Sequence, residues 1–262
     1  MYCVIYKDQI GQTIELQNVP KRVVSLVPSQ TELLVDLGLE ANLVGVTKFC
    51  VHPERIRKKV RVVGGTKNVN YNRIKTLKPD FILCNKEENT KEIVDNLQQI
   101  APVWVTDIFT IDDCFEMIAS LGTVFNVTEK AAMIIADIQK ERSVFTEAIA
   151  DVPHKKVLYL IWKNPYMAAG KLTFIDKMLS LNKFENILKP ESRYPEVSMK
   201  EMETADLILL STEPYPFKQS DAETLSKRLN RSVKLVDGEY FSWYGSRLTK
   251  AFDYFKTLHT SS

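Results

Sequence analysis

Apolar residues in this chain fall into short unbroken runs, and between the runs apolar positions recur every third or fourth residue. That alternation marks buried strands interleaved with amphipathic helices. RVVSLVP (22–28), LVGVT (43–47), FILC (81–84) and PVWV (102–105) are the runs of the first half. Helical patterns lie at 71–77, 90–99 and 111–125, and Ser29 or Gln30 opens another that Gly38 stops. Ahead of the first run, YKDQIGQTIEL pairs two strand-like pieces around Asp8 to Gly11, a hairpin that caps this half. Strand–helix repetition predicts a parallel sheet covered by helices.

Residues 128–150 contain neither Gly nor Pro, begin on the capping residue Thr128, and place Ala131, Ile134, Ile135, Ile138, Val144, Phe145 and Ile149 as an apolar set. One long helix is expected there. Past Pro153 the rhythm restarts with VLYLIW (157–162), DLILLS (206–211) and VKLVD (233–237). NVNYNRIKTLKPDFILCN (68–85) also aligns with PEVSMKEMETADLILLS (195–211): Asn70 or Ser198 caps a short helix that leads to an aspartate and a strand. The expected fold is therefore α/β, with two Rossmann-like lobes at 1–127 and 151–262. Each carries a parallel sheet, a backbone helix over 128–150 joins them, and a ligand cleft lies between them. A helix at that junction should allow only small lobe motions.

The length of 262 residues suits two cores. Thirty-five basic and 33 acidic side chains, mixed along the chain, leave a net charge of +2. That balance gives no footprint for nucleic acid or a membrane surface, and no stretch reaches transmembrane length. Cys3, Cys50, Cys84 and Cys114 form no CxxC pair and are expected as buried reduced thiols. The first residues show no leader-peptide pattern, which leaves a cytoplasmic location as open as an exported one. His52, His154 and His259 lack metal-ligand spacing, no GxSxG is present, and AAGKLT (168–173) has Pro165 where a phosphate loop needs its first glycine. Neither a catalytic residue nor a metal site is expected, and the chain is expected to be a monomer.

Ligands of α/β lobes bind at the carboxyl ends of the strands. Those ends carry Pro28, Ser29 and Gln30, then Thr47, Lys48 and Phe49, then Asn85. In the second half they carry Trp162 to Met167, STEPYPF (211–217) and DGEYFSWYGSR (237–247). Aromatic residues gathered there form a wall suited to a large, flat, partly apolar ligand.

The segments RVVSLVPSQTELLVDLGLEANLVGVTKFCVHP (22–53), VGGTKNVNYNRIKTLKPDFIL (63–83), PYMAAGKLTFID (165–176), RYPEVS (193–198) and DGEYFSWYGSRL (237–248) resemble the cobalamin-binding substrate-binding proteins of ABC import transporters. These belong to the metal-chelate receptors with two lobes and a rigid backbone helix. The likeness covers nearly the whole chain, in the family's order and spacing. It implies non-catalytic binding of a cobalamin-like corrinoid, as cargo and not as an intrinsic cofactor. It also implies contacts from Pro28, Ser29, Gln30, Phe49, Met167, Tyr194, Glu239 and Trp243, with Trp162, Tyr166, Tyr244 and Arg247 beside them. Two aromatic positions of the family correspond here to Thr66 and Asn85, so part of the stacking surface is altered. The surface glutamates that such proteins offer to an ABC permease correspond to Asn72 and Lys200, with Glu201 adjacent to the second. Haem or an iron–siderophore chelate is the alternative ligand within the fold. A cytosolic enzyme or chaperone of corrinoid or metal-chelate metabolism is the alternative of another class.

Overall fold

A computed structural model describes residues 4–188 and 193–260. By internal contacts the chain divides into two units: residues 4–139 with Tyr244–Arg247, and residues 140–243 with 248–260. Cys3 lies outside the described residues.

The first unit opens on the expected hairpin, β1 (Val4–Lys7) against β2 (Thr13–Leu16), antiparallel. Asp8 holds its turn: Oδ1 accepts from the backbone N–H of Ile10 at 3.1 Å and of Gln12 at 2.8 Å. There follow β3 (Val23–Ser25), α1 (Pro28–Asp36), β4 (Leu43–Val46), α2 (Ile56–Lys59), β5 (Arg61–Val62), α3 (Tyr71–Thr76), β6 (Phe81–Asn85), α4 (Lys91–Leu97), β7 (Val103–Thr106) and α5 (Ile111–Val124). The sheet runs β5-β4-β3-β6-β7, all parallel. Strands β3, β6 and β7 are buried on both faces, which is why they read as unbroken apolar runs. Val24, Leu26, Ile82, Cys84, Val103 and Val105 pack with Ile74, Ile93 and Leu97 from the helices into one core. The hairpin is tied to this sheet through Asp8 Oδ2, which accepts from the Val105 N–H at 3.0 Å.

Helix α6 (Thr128–Ala148) begins in the first unit and ends in the second. Ala131, Ile138 and Phe145 are buried at seven-residue spacing and Ile149 is buried just past the helix end, while Met133 and Val144 are exposed. Gly122 sits under Ala131 so closely that a Cβ there would meet the alanine methyl at 2.5 Å.

The second unit comprises β8 (Lys155–Trp162), β9 (Met167–Ala168), α7 (Phe174–Leu181), β10 (Phe184–Asn186), α8 (Met199–Met202), β11 (Leu207–Ser211), α9 (Gln219–Leu229), β12 (Ser232–Val236), α10 (Glu239–Ser242) and α11 (Leu248–Thr260). Its parallel strands run β10-β8-β11-β12. These pair in parallel, as expected, and β9 adds one antiparallel partner to β8 off that path. The chain turns back at Asn164 and Pro165, and a hairpin partner is antiparallel by geometry. Leu158, Leu160, Ile208, Leu210, Leu225 and Leu229 form this unit's core.

The internal match is visible in both frames. Asn70 caps α3 by accepting from the Arg73 N–H at 2.9 Å, and Ser198 caps α8 in a capping box with Glu201. Cys50, Cys84 and Cys114 are free and buried. No helix among the described residues is long and apolar enough to cross a membrane.

Candidate functional site

Three candidates, Gln30, Asn85 and Tyr244, join one polar network through Thr106, and Arg247 forms a separate ion pair. Pro28 starts α1, where its missing N–H costs nothing, and Ser29 and Gln30 are buried behind it. The Gln30 amide donates to Thr106 Oγ1 at 2.5 Å and to the Tyr244 hydroxyl at 3.1 Å. Asn85 donates to the same Thr106 through Nδ2, at 3.1 Å to both its carbonyl and its hydroxyl oxygen. Arg247 forks onto Glu32, Nε to Oε2 at 2.8 Å and the second nitrogen to Oε1 at 3.0 Å, with both side chains buried. Fork geometry is the strongest form of this pairing. Burial raises the Tyr244 hydroxyl well above its ordinary range, so it stays neutral. Gln30, Asn85, Tyr244 and Arg247 are thus buried and hydrogen-bonded within the unit.

The loop after β4 is built differently. Phe49 is 49% exposed, and the Lys48 ammonium stands 4.9 Å from its ring centroid. Opposite them the chain makes a tight turn at 64–68, closed by the Gly65 N–H donating to the Asn68 carbonyl at 2.7 Å. Gly64 has φ +129°, and a Cβ there would lie 2.5 Å from that carbonyl oxygen, so the turn requires glycine. A Cβ on Gly65 would approach the Phe49 ring to 3.2 Å. Between loop and turn runs an open groove of about 710 Å³, which Lys67, Asn70 and Arg73 complete. Thr66 lies on its wall.

In the second unit Trp162 ends β8, 42% exposed, and meets Tyr215 edge-on at 5.6 Å. Met167 pairs with Trp162 across β8 and β9 and is half-buried, like Tyr166, while Tyr194 is exposed. Beyond β11, Glu213 Oε1 accepts from the Ser242 hydroxyl at 2.6 Å and from the Trp243 indole N–H at 2.9 Å. Burial pushes this carboxyl up to about 7; the Ser242 hydrogen bond opposes the shift, and the charges of Glu239 and Asp237 add to it. The space is tight, since a Cβ on Gly238 would fall 2.2 Å from Ser211 Oγ. Trp243 is buried with its N–H engaged, while Glu239, at the start of α10, is half-buried.

Three residues that matter here escaped the sequence argument: Lys67, Arg73 and Glu213. The Gly64–Gly65 pair was the available signal for the first two. In STEPYPF (211–217) the sequence signal is the aromatics, and a lone acid such as Glu213 carries none. Among the described residues no His, Cys, Asp and Glu cluster could hold a metal ion. Asn72 and Lys200 are exposed on α3 and α8. Glu201 beside Lys200 uses Oε2 for capping, accepting from the Ser198 N–H at 2.8 Å and hydroxyl at 2.7 Å.

The family profile described as periplasmic binding protein matches residues 23–229. An uncharacterised ABC transporter substrate-binding lipoprotein of Bacillus subtilis is 27% identical over 191 residues, which cover 69% of this chain and 60% of that protein, so the chain spans less than two thirds of that relative. A vitamin B12-binding protein of Pectobacterium carotovorum is 27% identical over 237 residues, 88% of this chain and 86% of that one. Among solved structures, a periplasmic heme binding protein from Pseudomonas aeruginosa matches with a TM-score of 0.81 at 20% identity, covering 93% of this chain and 94% of that chain.

Proposed function

Since the chain belongs to the periplasmic binding protein family, we propose that it captures a cobalamin-like corrinoid and releases it chemically unchanged. The observation that carries this is the exposed Phe49 ring on the rim of an open groove at a strand's carboxyl end. A ring left in water there gains when a flat, partly apolar macrocycle covers it, at roughly 25 cal/mol per Å² of apolar surface removed from water. Trp162 and Tyr194 offer further exposed rings. The vitamin B12-binding relative supports the choice of ligand, and the substrate-binding relative supports capture over catalysis. The corrinoid is cargo, and the protein works as a monomer without a cofactor of its own. Handing the cargo to an ABC permease would rely on contacts other than surface glutamates at 72 and 200, where Asn72 and Lys200 stand.

Titration with cyanocobalamin and cobinamide tests the proposal. Either should shift the visible spectrum and quench tryptophan fluorescence at micromolar concentrations. Binding of haem with neither corrinoid bound would transfer the assignment to haem. Turnover of a bound chelate would overturn capture in favour of catalysis.

A further inference from the structure

Lys48, Lys67 and Arg73 line one groove with Phe49, and no carboxylate lines it with them. In a chain of net charge +2, a cavity wall carrying three cations is a local concentration of charge. Each cation is also held in place. Lys48 is steadied over the Phe49 ring, Lys67 donates to the Glu87 carbonyl, and one Arg73 nitrogen donates to the Val62 carbonyl at 2.7 Å. These partners are a π face and neutral carbonyls, so they position the charges without cancelling them. Glu88 acts electrostatically on Lys67, but burial pushes its carboxyl above the ordinary range and so disfavours the charged form.

We propose that this groove is an oxyanion subsite: the Phe49 ring takes the flat body of the ligand, and Lys48, Lys67 and Arg73 take a carboxylate or phosphate arm. The assignment rests on the capture function above and narrows its ligand to a macrocycle with an anionic periphery. Arg73 supplies a planar fork, and the two lysines supply point charges that follow an arm of variable length.

Amide chemical shifts of the ¹⁵N-labelled full chain, titrated first with inorganic phosphate and then with propionate, test the groove alone. Amides of residues 64–68 and Arg73 should move saturably, and the triple variant K48Q/K67Q/R73Q should lose the response while keeping its circular dichroism. Two ligand pairs then identify the arm. Cobalamin carries a phosphodiester that cobinamide lacks, and haem carries carboxylates that its dimethyl ester lacks. The charged member of one pair should bind about tenfold more tightly, the scale of one charge-assisted hydrogen bond, and the triple variant should erase that preference. If no macrocycle binds while the anions still shift these amides, the corrinoid assignment falls and the oxyanion subsite stands. If corrinoids bind without preferring the charged arm and neither anion moves the amides, the subsite falls and capture stands.

Discussion

Asp80 and Asp206 do the same work in the two units. Asp80 accepts from the backbone N–H of Lys21 at 2.9 Å and of Arg22 at 2.8 Å, just before β3, and its own N–H returns a bond to the Arg22 carbonyl at 3.0 Å. Asp206 accepts from the Lys156 N–H in β8 at 2.9 Å, and its N–H returns a bond to the Lys156 carbonyl at 2.8 Å. At the opposite ends of the strands the likeness stops. The first unit presents an open groove with three cations, and the second buries Glu213 beside Trp243 with Asp237 and Glu239 near. Strand starts must satisfy fixed backbone donors, which limits them to a few solutions, whereas the loops at the carboxyl ends carry no such requirement and diverge.

The largest effect should come from the buried acid. The Glu213 carboxyl is raised from 4.5 to about 7, so its protonated form is favoured in the folded protein. Its contribution is fully present below about pH 4.5 and is lost as pH rises through 7, on the order of 3 kcal/mol across that window. Urea denaturation from pH 4.5 to 8 should show that decline, and Glu213→Gln should flatten it. Trp243 provides a second readout, because its indole donates to this carboxyl; its fluorescence should titrate near pH 7 in the parent and stay constant in the variant. Equal slopes in both proteins would put the second unit's acid on the same footing as an exposed carboxylate and break the contrast between the two strand ends.

A smaller effect should sharpen the likeness between the frames. Asp80→Ala leaves two backbone donors without their partner and should cost about 2 kcal/mol, while Asp206→Ala leaves one and should cost about 1 kcal/mol. Thermal denaturation followed by far-UV circular dichroism reads both. A reversed order would mean that the two aspartates are not equivalent and that the internal match is one of sequence only.

How much of this was legible depended on whether neighbours in sequence decide the outcome. FILC and VLYLIW became β6 and β8 because an apolar run too short for a helix suits a strand buried on both faces, and most of 128–150 became α6, which ends at Ala148, because nothing in it interrupts a helix. β5, β9 and β10 are two or three residues long, too short for a period, and pairing alone defines them. The same limit holds at the site. Phe49 was legible as a ring at a strand end. Tyr244 and Arg247 were placed by the family likeness beside a ligand, yet their partners Gln30 and Glu32 lie 214 and 215 residues away in sequence. No local pattern carries such pairings. Glu213 was hidden for the same reason, since Gly238, Ser242 and Trp243 create its environment from a separate loop.

The smallest expected change in stability is also the most discriminating for function. Phe49 is half in water, with Lys48 over its ring and Gly65 beside it, so Phe49→Ala should alter the unfolding free energy by less than about 0.5 kcal/mol. Ligand binding should respond differently, because the ring's apolar face is buried only when a macrocycle covers it. Losing that burial removes about 1–2 kcal/mol of binding free energy, or roughly a tenfold rise in Kd for cyanocobalamin. Parallel urea melts and corrinoid titrations of the same variant separate the two quantities. A ring that belonged to the fold would lower both together, as the fully buried Gln30 should. Unchanged affinity beside unchanged stability would leave Phe49 with no role, and the carboxyl end of β4 would then be a surface loop with a bare ring. Weakened binding at unchanged stability would place the first unit's ligand surface at this ring and distinguish it from Trp243 of the second unit, whose indole is buried by the protein itself and bonded to Glu213.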